Sequence, residues 1–294
     1  MTLENFIVRV FPILLCIPTA MASTETLDQR VHAQIAAFKG KVWIYARNLD
    51  TGASYSLNGD ERTRTASTIK LPIMVEAFGR VAEGCAKWSD EIILTKEKKQ
   101  PDGGVLQELA DNTCLTLRDA VNMMIVVSDN TGANLVLDAV TTDAVNERMD
   151  SLGLMKTRSL GKIGGGGNSR ARLEPVNQNR GIGVTTPHEM VMLLEKLEHG
   201  EVISPEASAE MIALLKRQQY HEGIGRSLIG VEIASKPGSL DHLRADVGII
   251  YSPRGRIAMA ITCDEMPDIN YTYDNPALLL MSRLSLILID GLGK

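Results

Sequence analysis

Ser67-Thr68-Ile69-Lys70 sets a hydroxyl and an amine three residues apart. On a helix that spacing puts both on one face. A serine is a nucleophile only when a base takes its proton, and an ammonium cannot. Lys70 therefore needs a lowered pKa or a partner that removes its own proton. At a helix start the Ser67 N–H would also face a developing oxyanion. The pattern alone says little, because Ser159-Leu160-Gly161-Lys162 repeats it. That copy leads into glycines, which do not hold a rigid helix.

Two further clusters carry chemistry. Ser128-Asp129-Asn130 follows the apolar run Ala120 to Val127. A short polar turn after a buried helix can project into a cleft. There Ser128 would pass a proton to a departing amine, and Asn130 would offer a donor and an acceptor to a substrate amide. Asp129 is expected to brace the turn. Lys236-Pro237-Gly238-Ser239 stands at the end of a predicted strand. Lys236 supplies positive charge for a substrate carboxylate, and Gly238 lets a substrate backbone come close. The Ser239 N–H would complete an oxyanion hole with that of Ser67.

The three clusters, in this order and spacing, resemble the penicillin-recognising serine enzymes, and most closely the class A β-lactamases. The text around them agrees: Thr65-Ala66-Ser67-Thr68-Ile69-Lys70-Leu71-Pro72, Val127-Ser128-Asp129-Asn130-Thr131, Thr185-Thr186-Pro187 and Asp246-Val247-Gly248-Ile249. The resemblance covers nearly the whole chain after its first 22 residues. It implies a β-lactam as small-molecule substrate, an acyl-enzyme on Ser67, and no metal or organic cofactor. In that family a loop glutamate activates the water that releases the acyl group, and Arg172-Leu173-Glu174-Pro175 is similar to that loop. The catalytic set so implied is Ser67, Lys70, Ser128, Glu174 and Lys236. The substrate-binding set is Asn130, Gly238, Ser239 and Arg244.

Two departures stand out. The family carries Asn four residues after the glutamate, where this chain has Gln178 between Asn177 and Asn179. It also carries Thr or Ser between the Lys and the Gly of the third cluster, where this chain has Pro237. Proline has neither a hydroxyl nor an N–H to give a substrate carboxylate, which leaves Ser239 or Arg244 for that role. Two other functions remain open: a D,D-peptidase or esterase of the same fold, or a β-lactam binder that has lost turnover. Other hydrolase schemes are unsupported. There is no Gly-x-Ser-x-Gly elbow, and the five histidines (His32, His188, His199, His221, His242) form no His-Glu-x-x-His motif.

The elements that must position these residues can be read from periodicity and turn signals. Leu27 to Phe38 is predicted helical, then Val42 to Ala46 and Ala53 to Leu57 form a hairpin about Asp50-Thr51-Gly52. Ile69 to Ala82 reads as a helix with Pro72 in its first turn. From there to about Leu215 the pattern is helical: Thr116 to Met124, Asn134 to Val140, Thr142 to Leu152, a helix opened by Thr186-Pro187, and Pro205 to Arg217. Strands return at Glu232 to Lys236, Asp246 to Tyr251 and Ile257 to Cys263, and a last helix spans Pro276 to Asp290. Gly164 to Gly167 lacks the strand and the Lys-Ser or Lys-Thr of a phosphate loop and reads as an irregular loop. The fold class is thus α/β (α+β): a mostly antiparallel five-stranded sheet flanked by terminal helices, with an inserted all-α domain. Residues 23–66 and 226–294 form the sheet domain and 67–225 the insert.

Composition fits a globular chain. The 294 residues are 44% hydrophobic, and the net charge of -5 favours neither nucleic acid nor an anionic membrane. Residues 1–22 read as a signal peptide: Arg9, an apolar stretch from Val10 to Ile17, and Ala20-Met21-Ala22 as the cleavage site. The stretch contains Pro12, is followed at once by Pro18, and is shorter than the ~20 residues of a membrane span. A secreted or periplasmic monomer, free of the membrane after cleavage, is expected. The remaining Cys85, Cys114 and Cys263 are odd in number, so Cys85 and Cys114 either pair or all three stay as thiols.

Overall fold

The structure, a computed structural model, describes residues 25–293. The expected signal segment and its cut after Ala22 lie outside them. The elements run in the order α1 (Leu27–Ile35), β1 (Lys41–Asn48), β2 (Ser54–Leu57), β3 (Thr63–Arg64), a 3-10 turn (Ala66–Ile69), α2 (Lys70–Ala82), β4 (Glu91–Leu94), β5 (Thr113–Thr116), α3 (Leu117–Val126), α4 (Asn130–Val140), α5 (Thr142–Ser151), β6 (Arg158–Ser159), β7 (Gly183–Thr185), α6 (Pro187–Glu198), α7 (Pro205–Leu215), β8 (Glu232–Leu240), β9 (Leu243–Ser252), β10 (Gly255–Asp264) and α8 (Pro276–Leu292).

The main sheet has the order β2-β1-β10-β9-β8, with antiparallel pairs throughout. Its inner strands are apolar on both faces because both faces are covered. Along β10, Ile257, Met259 and Ile261 join a cluster with Val31 of α1 and with Leu280, Leu284 and Leu288 of α8. The alternate residues Ala258 and Ala260 join a second cluster with α2, α3, α4, α6 and α7. Side chains of a strand alternate between faces, so one strand feeds two cores. The antiparallel five-stranded sheet with terminal helices is the fold expected from the sequence.

Helix starts follow their caps. Thr116 and Thr186 each accept a hydrogen bond from the N–H three residues on, as do Thr26 and Ser204. One start differs from expectation: α4 begins at Asn130 rather than Asn134. The Asp129 carboxylate accepts from Gly132 N at 2.8 Å and is itself the cap. β8 likewise does not stop at Lys236 but continues through Pro237 to Leu240. As the edge strand it tolerates a residue with no N–H.

The stretch between α2 and α7 is not purely helical. β4 pairs with β5, and β6 and β7 form a small sheet with β3, which precedes α2. These strands are two to four residues long, too short for alternation to register in the sequence. Cys85 and Cys114 are exposed free thiols and Cys263 is a buried one, so the alternative of a Cys85–Cys114 disulfide is not realised. Among the described residues no helix is long and apolar enough to cross a membrane.

Candidate active site

Ser67 lies in the 3-10 turn that leads into α2, and Lys70 is the first residue of that helix. The residue before the serine, Ala66, has φ +48°, a left-handed conformation uncommon for alanine. Ala66 is buried beside Leu243 and Ala245 of β9, which holds the turn against the sheet. Gly238 of β8 makes this approach possible. A Cβ there would lie 2.9 Å from both the Ser67 nitrogen and the Thr65 carbonyl oxygen. A bare backbone at Gly238 is therefore required, and it brings the strand that carries Ser239 beside the Ser67 amide.

The Lys70 ammonium is fully buried. It donates to the Ser128 carbonyl oxygen at 2.5 Å, to Asn130 Oδ1 at 2.8 Å and to Ser128 Oγ at 3.3 Å. Burial pulls its pKa down to about 7, against the opposing charge of Asp129. Lys236, also fully buried, donates to Ser128 Oγ at 2.8 Å and to the Pro237 carbonyl at 2.8 Å. Its pKa falls well below the ordinary lysine value through burial and through the neighbouring charge of Lys70. Two amines thus meet at one hydroxyl.

Ser128 has φ +55° between the end of α3 and the Asp129 cap. Asp129 holds this turn. Its Oδ2 accepts from Val105 N at 2.6 Å and Leu106 N at 2.8 Å, tying the 103–106 loop to the start of α4. Asn130 adds to the tie: its Nδ2 donates to the Asp102 carbonyl at 2.5 Å, and its main-chain N donates to that of Gly103 at 3.1 Å.

Beside these groups lies a cleft of about 900 Å³. Its walls include Ser67, Ser128, Asn130, Pro237, Gly238, Ser239 and Arg244. The Arg244 guanidinium is 2% exposed and is held by main-chain carbonyls: Nη1 donates to Leu240 at 2.5 Å and Leu243 at 2.6 Å, and Nη2 to Asn270. The Tyr271 ring covers it at 4.6 Å.

The cleft does not include Glu174. That residue is exposed, lies between the 3-10 turns Arg170–Leu173 and Pro175–Asn177, and accepts from Asn177 Nδ2 at 3.1 Å. The base role expected for it is carried by the resemblance alone and by no contact in this arrangement. The two turns hold it on the outside of the loop. The wall instead carries Ile163 and Gly164, from the start of the glycine run. Asn134 fixes Ile163 at both main-chain groups, donating from Nδ2 to its carbonyl at 2.9 Å and accepting from its N–H at 3.0 Å. Sequence reasoning passed over Ile163. The one available signal was Gln178, which stands where the family carries an asparagine.

Deep in the strand pair, Asp246 sits opposite Pro237 in register and is 1% exposed. Its Oδ2 accepts from Ile224 N at 3.0 Å, while Oδ1 is buried without a hydrogen-bond partner. Burial raises its pKa to about 7.

Residues 26–292 match the beta-lactamase enzyme family. A beta-lactamase of Rhodobacter capsulatus is 26% identical over 273 residues, covering 89% of this chain and 86% of that protein. Beta-lactamase AER-1 of Aeromonas hydrophila is 24% identical over 269 residues, covering 86% and 84%. Among solved structures, a beta-lactamase from Sphaerobacter thermophilus superposes with a TM-score of 0.78 at 30% identity, covering 90% of this chain and 95% of that one. A variant of PBP-A, solved as an acyl-enzyme complex with penicillin G, superposes with a TM-score of 0.75 at 25% identity, covering 90% and 94%.

Proposed function

The chain belongs to the beta-lactamase enzyme family, and on that premise we propose that it hydrolyses β-lactams through an acyl-enzyme on Ser67. One observation carries the assignment of roles: the buried amines of Lys70 and Lys236 converge on the Ser128 hydroxyl, next to the turn that bears Ser67.

In the first step Ser67 Oγ attacks the lactam carbonyl carbon and its proton goes to Lys70. An amine with a pKa near 7 is neutral in half or more of the molecules at neutral pH and above, so it can accept that proton. The N–H groups of Ser67 and Ser239 stabilise the oxyanion. The ring C–N bond then breaks, and its nitrogen takes a proton from Ser128 Oγ. Lys70, 3.3 Å from that oxygen, returns the proton it took. Lys236 keeps the potential positive around the Ser128 oxygen and the substrate carboxylate, while Asn130, Gly238 and Arg244 line the substrate path. Water then cleaves the ester and restores Ser67.

A second reading, an acyl-transfer enzyme of D,D-peptidase type that releases β-lactams slowly, is favoured by the exposure of Glu174. Export to the periplasm or the medium completes the proposal. The test is to mix the purified chain with a chromogenic cephalosporin and a fluorescent penicillin. Turnover supports a lactamase, a persistent label on Ser67 supports the slow reading, and absence of both defeats the assignment.

A further inference from the structure

α4 presents two asparagines one turn apart. Asn130 Oδ1 accepts from Lys70 Nζ, and Asn134 clamps Ile163. Residues four apart on a helix share a face and stand ~5.4 Å apart along its axis. Ile163 is therefore held by the residue one turn along α4 from the asparagine that meets the amine serving Ser67, and it lines the same cleft. It also packs against the main hydrophobic cluster.

Hydrolysis of an ester on Ser67 needs a base for the attacking water, and carboxylates are scarce here. The acids that line the cleft are Asp102, Glu222 and Asp241. Asp241 accepts from the Tyr271 hydroxyl at 2.9 Å, and the charges of Asp102 and Glu222 act on Tyr271 and Asp246 respectively. Asp129 is the carboxylate that acts on Lys70, and both its oxygens are taken by main-chain N–H groups. Among the described residues, the carboxylates of α4 and its cap are Asp129, so engaged, and Asp138, which pairs with Lys162.

We infer that Ile163 sets the lifetime of the acyl-enzyme: locked by Asn134, its aliphatic side chain takes up the stretch of wall from which a carboxylate would activate the hydrolytic water. This rests on acylation of Ser67 as proposed above. Without that carboxylate, the proton of the attacking water falls to the Lys70 amine, the same group that served acylation. The water oxygen bonds to the ester carbon, and Ser67 Oγ leaves and recovers a proton from Lys70. A glutamate at position 163 supplies a separate base, taking the water proton and handing it to the departing serine oxygen.

The experiment is a time course of intact-protein mass after mixing with benzylpenicillin, followed by removal of free drug. Ile163→Glu should shorten the life of the Ser67 adduct by ~10²–10⁴-fold, the usual worth of general-base assistance. Ile163→Gln, of the same size without the base, should leave it close to that of the unmodified chain. Ile163→Glu should also move the acid limb of the acylation rate to higher pH, since a carboxylate near Lys70 favours the ammonium. Equal adduct lifetimes for the Glu and Gln variants overturn the inference. Glu174→Gln decides the matter even if Ile163→Glu does not fold: an unchanged lifetime supports the inference, and a lengthened one makes Glu174 the base and overturns it. If the unmodified chain forms no adduct with either benzylpenicillin or a cephalosporin, acylation of Ser67 fails, and the role of Ile163 falls with it.

Discussion

Lys236 donates to the hydroxyl of Ser128 at 2.8 Å, and the same oxygen lies 3.3 Å from Lys70. Among the described residues no carboxylate bonds either amine, and burial makes each easier to keep neutral than an exposed lysine, with the charge of Lys70 adding to this at Lys236. The cost to the fold is what makes a base available at neutral pH.

Ser67→Ala should abolish the penicillin adduct, while Ser159→Ala leaves it intact. The second serine has the same spacing to a lysine but is 1% exposed, and its carbonyl accepts from Asn146 at 3.0 Å and Ser169 at 2.7 Å. Intact mass of the two variants after labelling checks this, and an adduct on Ser67→Ala would sink the mechanism.

The acylation rate should climb with pH through about 7 and level off above it, as the Lys70 amine loses its proton. Stopped-flow acylation across pH 5 to 9 gives the limb. A flat profile would mean that another group takes the serine proton.

Stability should show a minimum near pH 7. Asp246 has its pKa raised from 3.8 to about 7 by folding, so the folded chain holds the extra proton between those values and stability falls as pH rises through them. Lys70 has its pKa lowered from 10.5 to about 7, so above 7 the unfolded chain holds the extra proton and stability rises with pH. Urea midpoints between pH 4 and 10 report the curve. Asp246→Asn should remove the decline on the acid side, and an unchanged slope there would show that Asp246 ionises normally.

Pro237→Thr should raise kcat/KM for penicillins. A hydroxyl hydrogen bond to the substrate carboxylate is worth roughly 1.5–3 kcal/mol, or one to two powers of ten. The edge position of β8 lets the new N–H reach solvent. An ester without the carboxylate should gain little, and equal gains on both substrates would point to backbone shape instead.

Asp129→Ala should cost about 3–5 kcal/mol, because the N–H groups of Val105, Leu106 and Gly132 lose their acceptor in a buried turn. Chemical denaturation measures it. A loss under 1 kcal/mol would mean that water replaces the carboxylate.

Much of this was legible in the sequence because its carriers are local. Thr116 and Thr186 announce their helices by type and position, and Ser67 and Lys70 share a face by spacing alone. What was not legible depends on distant partners. Nothing near Ile163 in the sequence marks it, since its place is fixed by Asn134, 29 residues away. Glu174 drew attention through its neighbours Arg172 and Pro175, yet a motif reports side-chain types and not which way a loop turns. The strands β3, β6 and β7 were missed for the related reason that two or three residues carry no period.

Gly238 also limits how this chain can adapt. Any side chain there must push main-chain atoms, the Ser67 nitrogen and the Thr65 oxygen, and main chain does not step aside. A population selected on bulkier drugs therefore cannot widen the cleft at that strand without moving its own nucleophile. In the glycine loop beside Ile163, Cβ atoms at Gly165 and Gly166 would meet nothing within 4 Å, yet both residues have positive φ, +106° and +81°, so side chains there strain the backbone. Change on that side is therefore easier by insertion than by substitution of those glycines, with the sheet side held constant.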